Sequence, residues 1–226
     1  MKKILFVFGA GGILGKGVSQ ILSNKNYDTV YLFNSRPVEL PSPNSIYVQT
    51  SDLSNEENVI AAFSKINFEK NTEYFLLSSI GGYTGGKGVI DTSVEEWSKM
   101  MNMNVTVGFL ITKHFFKNAQ NCNGGAVCLT SAMTSFVPEE NKAAYGTSKN
   151  ALNFLVKTLA KEGKNYGISV NAIAPSVLDS KSNREWITDN SMMITPEAIG
   201  ELVFSLFQNR KIVSGNILEL PWTLNT

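Results

Sequence analysis

Apolar positions along the chain fall into short runs that alternate with stripes at helical spacing. The short runs predict buried strands at Ile4–Phe8, Thr29–Phe33, Ser45–Gln49, Tyr74–Ser78, Gly125–Thr130, Ser169–Ala174 and Ile217–Leu220. The longer stripes predict helices at Ile13–Ser23, Asn55–Ile66, Val94–Asn118, Ala144–Asn165 and Pro196–Phe207. This alternation predicts an α/β fold, with a parallel sheet of about seven strands that is covered by helices on both faces.

The chain is expected to form one domain over residues 1–226, because 226 residues are enough for a single full core. The segment Pro37–Asn44 contains three prolines and is interpreted as a loop, not as a linker between domains. In an open α/β sheet, ligands bind outside the carboxyl ends of the strands. The residues directly after each predicted strand are therefore the candidate functional residues.

A glycine-rich turn follows the first predicted strand and opens the first predicted helix. It contains Gly9, Gly11, Gly12, Ile13 and Gly15 in a Gly-x-x-Gly-x-x-Gly spacing, which differs from the common Gly-x-Gly-x-x-Gly pattern. Such glycines allow a tight turn and close approach of the backbone to a pyrophosphate at a helix N-terminus. The turn predicts a dinucleotide site; an ordinary strand–helix turn with extra glycines is the alternative.

Three polar residues after the second strand bear on the choice of nucleotide. Asn34, Ser35 and Arg36 stand where NAD enzymes carry an acidic residue and NADP enzymes an arginine for the 2′-phosphate. No acidic residue is present there, so NADP(H) is favoured over NAD(H), with a solvated loop arginine as the alternative. After the third strand, Asp52 and Leu53 are expected near the adenine, although Asp52 or Ser54 could instead cap the next helix.

The fourth strand leads into a segment that is dense in glycine, from Gly81 to Gly86. Ser79 and Gly81 are expected beside the ribose and nicotinamide, because glycine lets the backbone run close to a ligand. Tyr83 is then expected to line the mouth of a substrate pocket. A mobile surface loop is the alternative.

Tyr145 and Lys149 are four residues apart at the start of a predicted helix, so they lie on one face. A phenol has an ordinary pKa of about 10, and a nearby ammonium lowers it by favouring the phenolate. The pair can therefore serve as a proton donor and acceptor. A surface tyrosine beside a solvated lysine is the alternative.

Composition and charge exclude several functional classes. A net charge of +1 does not favour a nucleic-acid or membrane partner, and no apolar run is long enough to span a membrane. The first apolar run ends at Phe8, too early for a signal peptide. Cys122 and Cys128 do not have a metal-binding spacing and are expected as free thiols in the cytoplasm. His114 is expected on a helix surface or at an interface.

Taken in order, these motifs resemble the short-chain dehydrogenase/reductase family over nearly the whole chain. The likeness rests on the glycine turn, Asp52, the Gly81 segment, Asn104, the Tyr145/Lys149 pair and the segment 171–175. The resemblance implies a doubly wound Rossmann domain, a nicotinamide cofactor and a homodimer or homotetramer. It also implies that Tyr145 is the general acid/base, Lys149 binds ribose, Asn104 holds a relay water, and Pro175 and Val177 border the nicotinamide.

The chain departs from the family pattern at the serine that orients the substrate. Ala132 stands at that position, and Ser131 precedes it by one residue. Either Ser131 reaches the substrate, or Tyr145 acts alone or with Thr130 or Ser135. The second pattern, together with the Gly81–Gly86 segment, is similar to the quinoid dihydropteridine reductases. Those enzymes, however, carry an acidic residue after the second strand.

The expected function is hydride transfer between NAD(P) and a small carbonyl/alcohol or imine/amine substrate, with Tyr145, Lys149, Ser131 and Asn104 as catalytic residues. An inactive NADP-binding sensor or scaffold is the rival, and an epimerase or dehydratase would need a longer substrate domain. Exposed apolar candidates for subunit contact are Phe109, Phe115, Phe116, Phe154 and Leu155. The polar segment Asp179–Met193 is expected to cover the substrate.

Overall fold

The computed structural model describes residues 1–187, 189 and 193–223, and its centre is a seven-stranded parallel sheet. The strand order is β3-β2-β1-β4-β5-β6-β9, and every neighbouring pair is parallel. The seven strands are β1 (Lys2–Phe8), β2 (Thr29–Asn34), β3 (Ser45–Gln49), β4 (Thr72–Ser78), β5 (Gly125–Thr130), β6 (Ile168–Pro175) and β9 (Ile217–Leu220). The predicted α/β class and the seven-stranded sheet are confirmed.

Helices cover both faces of this sheet. They are α1 (Ile13–Ser23), α2 (Glu56–Phe63), α3 (Val94–Met101), α4 (Val107–Ala119), α5 (Ala143–Gly163) and α6 (Pro196–Gln208). Helices α1 and α6 pack on one face over Val7, Phe75 and Leu77, whereas α2, α4 and α5 pack on the other. The two apolar layers fix the sheet between them, so the carboxyl ends of its strands form one edge.

One predicted helix is interrupted in the structure. The stretch predicted as Val94–Asn118 contains α3, a π-helical turn at Asn102–Thr106, and α4. Because the apolar spacing continues through the turn, the sequence pattern gave no sign of the extra residue. Such π turns inside helices occur frequently at functional sites.

A small second sheet was not predicted. Strand β7 (Val177–Leu178) pairs in parallel with β8 (Met193–Ile194), and together they bracket the segment expected to cover the substrate. Two-residue strands are too short to show a periodicity. Residues 188 and 190–192 of that predicted cover lie outside the described residues.

The connection from β2 to β3 differs from the other crossovers of the main sheet. Residues 35–44 pass between these parallel strands without forming a helix, in agreement with the loop predicted at Pro37–Asn44. Parallel strands are usually joined through a helix that covers the sheet. This part of the α1 face is therefore covered by a short proline-rich segment instead. Within the described residues, no helix is both long and apolar enough to cross a membrane.

Candidate active site

The candidate residues gather at the carboxyl edge of the sheet. The glycine turn follows β1, Asn34 ends β2, Ser79 follows β4, and Thr130 ends β5. Helix α5 begins near the same edge and carries Tyr145 in its first turn. Short connections from several strands therefore bring residues that are distant in the sequence into one site.

The glycine turn is shaped to receive an anion. Gly9 has a φ of +82°, a conformation that favours glycine, and a Cβ at Gly15 would collide with the carbonyl oxygen of Gly9. Gly12 is the N-cap of α1 and provides no side chain to its N–H groups, and the first turn of α1 contains no acidic residue. Ile13 is exposed beside it. A helix N-terminus of this kind favours a phosphate.

Asn34 links the turn to the segment after β2. Its Oδ1 accepts a hydrogen bond from the Gly11 N–H at 3.2 Å, and its Nδ2 donates to the Arg36 carbonyl at 2.8 Å. The side chains of Ser35 and Arg36 are exposed. The neutral amide of Asn34 thus orders the turn, and the Ser35 hydroxyl and the Arg36 guanidinium are exposed at its rim.

Neither expected residue caps the helix after β3. Asn55 is the N-cap of α2 and accepts from the Glu57 N–H, so the predicted caps Asp52 and Ser54 were wrong. The Asp52 carboxylate accepts both the Ser54 N–H and the Ser54 hydroxyl, and these bonds lower its pKa. Leu53 is buried. Asp52 itself is exposed at the carboxyl edge.

The segment after β4 is held against the glycine turn and the Tyr145/Lys149 pair. The Ser79 hydroxyl lies 3.0 Å from the carbonyl oxygens of Phe8 and Gly9. A Cβ at Gly81 would lie 2.9 Å from both Lys149 Nζ and Asn104 Oδ1. Gly81 therefore lets the backbone pass close to both polar groups.

Asn104 lies in the π-helical turn and is buried. Its Oδ1 accepts from the Gly82 N–H, and its Nδ2 donates to the Gly82 carbonyl, each at 3.0 Å. The same Nδ2 lies 3.0 Å from the hydroxyl of Ser148, which in turn donates to the Tyr145 carbonyl. Asn104 thus ties the glycine-rich segment to the helix that carries Tyr145. Ser148 was missed from the sequence, where nothing sets it apart from other helical serines.

Tyr145 contacts the glycine-rich segment through its ring. The rings of Tyr145 and Tyr83 are 5.0 Å apart, centroid to centroid, and nearly perpendicular. Burial raises the pKa of Tyr145 to about 12, and the neighbouring Tyr83 and Glu139 act in the same direction. This is the opposite of the lowered pKa expected from the Tyr145/Lys149 pair. Desolvation of the phenolate is the largest cause of the raised pKa.

Lys149 is buried one turn further along α5. Its Nζ donates to the Thr130 carbonyl at 2.8 Å and lies 6.0 Å from the centre of the Tyr145 ring. Burial lowers the pKa of Lys149 to about 8. The ammonium is therefore still the main form at neutral pH, but it is easier to deprotonate than a solvated lysine.

The hydroxyl groups after β5 point toward the protein interior. Ser131 is buried, and its Oγ lies 3.3 Å from the Ser135 hydroxyl and 3.4 Å from the Lys149 carbonyl. Ser135 donates to the Ala132 carbonyl, and Thr130 donates to the Ser78 carbonyl. The hydroxyls of Thr130, Ser131 and Ser135, which the sequence offered as substrate ligands, are thus all hydrogen-bonded within the protein.

Two charged residues border the Tyr83 ring and were missed from the sequence. Lys142 Nζ lies 5.9 Å from the centre of that ring and pairs with Glu139 at 2.5 Å. Glu139 also accepts from the Thr134 hydroxyl. Only the folded loop between β5 and α5 places this ion pair beside Tyr83.

The segment after β6 forms one side of the site. Pro175 ends β6 and is buried, and Val177 is half-buried in β7. Beyond them, Arg184 donates two hydrogen bonds to the carboxylate of Asp179 at 2.6 and 2.7 Å. This bidentate pair ties together the described start of the predicted cover.

His114 lies away from this site, and its predicted surface location was wrong. It is buried on α4, and its Nε2 lies 2.8 Å from Glu56 Oε1 at the start of α2. The sequence around His114 gave no indication of this partner, because Glu56 is distant along the chain. The contact joins two helices on one face of the sheet.

Fold and site together define an α/β protein with a nucleotide-binding edge, and comparison with known proteins identifies its family. The family model described as short chain dehydrogenase matches residues 3–191. The chain belongs to the short-chain dehydrogenase/reductase family of oxidoreductases, as the sequence predicted.

Individual relatives are distant in sequence but similar over most of their length. A dihydropteridine reductase from Dictyostelium discoideum is 28% identical over 191 residues, covering 84% of this chain and 80% of that protein. Glucose 1-dehydrogenase 2 from Bacillus subtilis is 26% identical over 194 residues, covering 80% of this chain and 74% of that protein.

Solved structures share the fold. ElxO with NADP bound has a TM-score of 0.83 and 20% identity, with 97% of each chain covered. The crystal structure of gox2181 has a TM-score of 0.85 and 17% identity, covering 97% of this chain and 94% of that one.

Proposed function

We propose that this protein is an NADP(H)-dependent oxidoreductase that acts on a small carbonyl/alcohol or imine/amine pair, with Tyr145 as general acid/base. The proposal depends above all on one observation: Tyr145 and Lys149 share one face of α5, and both lie beside the Gly81–Gly86 segment. The names of the relatives, several of which are dehydrogenases or reductases, support it.

The residues fit a dinucleotide. The uncapped start of α1 suits the pyrophosphate, and the exposed Ser35 and Arg36 suit a 2′-phosphate, which supports NADP(H) over NAD(H). Asp52 and Leu53 would border the adenine, and Pro175 and Val177 the nicotinamide. When bound, the nicotinamide supplies or accepts the hydride.

Tyr145 donates the proton in the direction of reduction. A phenol whose pKa is raised to about 12 remains protonated at neutral pH, so it is ready to protonate a developing oxyanion or amide anion. The protonated form of Lys149, with a pKa of about 8, stabilises the phenolate left behind and is placed to bind a ribose hydroxyl.

Of the two alternatives for the missing serine, the geometry supports the site without one. The Ser131 hydroxyl is turned toward Ser135 and the Lys149 carbonyl, so its role is to position Lys149 and not to bind substrate. Asn104 likewise holds Gly82 and Ser148 in place. Tyr145 then acts as a single donor, which favours substrates whose negative charge is delocalised, such as conjugated imines.

The second candidate function is an NADP-binding sensor or scaffold without turnover. Ala132 at the serine position favours it, because the hydroxyl that usually orients the substrate is missing there. The Tyr145, Lys149 and Asn104 arrangement argues for the enzyme.

A turnover assay separates the two functions. Loss of NADPH absorbance would be followed with aliphatic aldehydes, ketones, cyclic imines and a quinonoid dihydropterin. The enzyme proposal expects turnover with at least one set, most readily the conjugated imines. Tight NADPH binding with no turnover on any set would favour the sensor.

We further propose that the protein is a homodimer or homotetramer in the cytoplasm. Phe109 on α4 is 41% exposed and Phe154 on α5 is 75% exposed, and they suit a contact between subunits. Phe115 and Phe116, which were also candidates, are buried, and Leu155 packs against the core.

A further inference from the structure

A cleft of about 370 Å³ lies between α1 and the helix-free connection from β2 to β3. Its base is formed by Ala10 and Leu32, and its outer wall by the segment 37–41. The remaining lining residues lie along one flank of α1, namely Lys16, Ser19, Gln20 and Asn24. This volume is at the lower end of the range for small-molecule sites.

One of the residues that line the cleft, Ser19, carries a buried hydroxyl. Ser19 is 4% exposed, and its Oγ has no hydrogen-bond partner among the residues that the structure describes. Most buried side-chain hydroxyls in proteins are bonded, because leaving one unsatisfied is costly. A ligand that bonds to Ser19 would remove that cost.

Two opposite charges lie at the rim. Lys16 and Glu39 are exposed and line the same cleft, and neither forms an ion pair within the described part of the chain. The apolar residues Leu32, Val38 and Leu40 also line the cleft. A ligand with one charge would pair with only one of the rim residues.

We propose that this cleft binds a small zwitterion with an apolar side chain, of the chemical class of a free aliphatic amino acid. Its carboxylate pairs with Lys16 and accepts the Ser19 hydroxyl, and its ammonium pairs with Glu39. Its side chain packs on Leu32 and Val38. The cleft lies on the α1 flank and does not include Tyr145 or Lys149, so it is separate from the catalytic pair.

Three probes with similar hydrocarbon bodies test the charge requirement: L-leucine, isocaproate, which lacks the amino group, and isoamylamine, which lacks the carboxylate. Binding is followed by the methyl NMR signals of Leu32, Val38 and Leu40 in the full chain, with and without NADPH. We expect L-leucine to shift these signals and each single-charge probe to bind at least about threefold more weakly.

Two variants and a control test the residues. Ser19→Ala should weaken L-leucine about threefold to tenfold, because one hydrogen bond is lost. Lys16→Gln should reduce L-leucine binding to the level of isoamylamine. Lys157→Gln, an exposed lysine on α5, should change neither.

The proposal is overturned if L-leucine shifts none of these signals. It is also overturned if either isocaproate or isoamylamine binds as tightly as L-leucine. It is equally overturned if NADPH displaces L-leucine, since the cleft would then belong to the cofactor site. The readout requires no turnover, so failure here is distinct from failure of the proposed catalytic function.

Discussion

At the scale of single residues, burial changes the chemistry of the Tyr145/Lys149 pair more than proximity does. The spacing of these residues predicted a shared face, which the structure shows. It did not predict the raised pKa of Tyr145, because that depends on how the Tyr83 segment and Glu139 pack over the phenol. The sequence also could not predict where the Ser131 hydroxyl points, since its direction is set by contacts with Ser135 and with the Lys149 carbonyl of α5.

The lowered pKa of Lys149 predicts a pH dependence. As pH rises through about 8, the ammonium loses its proton, so its support for the phenolate and for a ribose is lost. The value of kcat/KM for NADPH, which reports groups of the cofactor-free enzyme, should fall above about pH 8. Lys149→Arg should move the decline to higher pH; a flat wild-type profile up to the pH of denaturation would contradict the pKa assignment.

Arg36 should determine the choice of cofactor. Replacing its exposed guanidinium in Arg36→Ala removes a charged hydrogen bond to a 2′-phosphate, so KM for NADPH should rise about tenfold to a hundredfold. KM for NADH, measured in parallel, serves as the control and should hardly change. An unchanged KM for NADPH would show that Arg36 is a solvated loop residue, and an equal rise in KM for both cofactors would show that it does not select the 2′-phosphate.

At the scale of elements, the seven strands of the main sheet were predicted to within about two residues at each end, whereas the π-helical turn was missed. The strands β3, β5 and β9 agree with their predicted bounds, because short apolar runs that end at polar or turn-forming residues leave little choice of position. The extra residue in the turn is stabilised by tertiary contacts of Asn104 with Gly82 and Ser148. The pattern of apolar and polar residues around Asn104 does not predict these contacts, because the partners are distant along the chain.

Removing the Asn104 contacts should lower the stability of the protein. Asn104→Ala leaves the half-buried Gly82 N–H and carbonyl without their partner, so the free energy of unfolding should fall by about 1–3 kcal/mol. Asn102→Ala, an exposed position in the same turn, is the matched control and should change it by less than about 0.5 kcal/mol. Equal denaturation midpoints for the two variants would show that the Asn104 contacts do not hold the turn.

At the scale of the whole molecule, the alternation of apolar runs and helical stripes predicted the parallel sheet and its helical layers. The single domain over residues 1–226 was expected from the length of the chain and stays a prediction. The missing crossover helix was visible as a proline-rich loop, but the cleft beside it required the packed position of α1. Which apolar helix residues are exposed could not be predicted from the sequence either, because residues of the core and residues of an interface have the same helical spacing. For example, Phe154 is exposed whereas Phe115 and Phe116 are buried, although the sequence offered all three as interface candidates.

The exposed face of α4 and α5 predicts self-association. Phe154 is 75% exposed and is proposed to be buried against the other subunit. Phe154→Ser removes this apolar contact, so it should convert the proposed oligomer to a monomer. Sedimentation velocity measures the change. Ile212→Ser, which is 83% exposed elsewhere, should leave the oligomer intact. A wild-type monomer at tens of micromolar would contradict this assembly.

The most direct test of the catalytic account is the turnover of Tyr145→Phe with the substrate found in the NADPH assay. The variant removes the proton donor but keeps the ring that contacts Tyr83, so the dissociation constant for NADPH should be unchanged. The account predicts that kcat falls by about a hundredfold to ten-thousandfold, whereas Tyr166→Phe, altered far from the catalytic edge, retains full activity. A Tyr145→Phe variant as active as the wild type would contradict it.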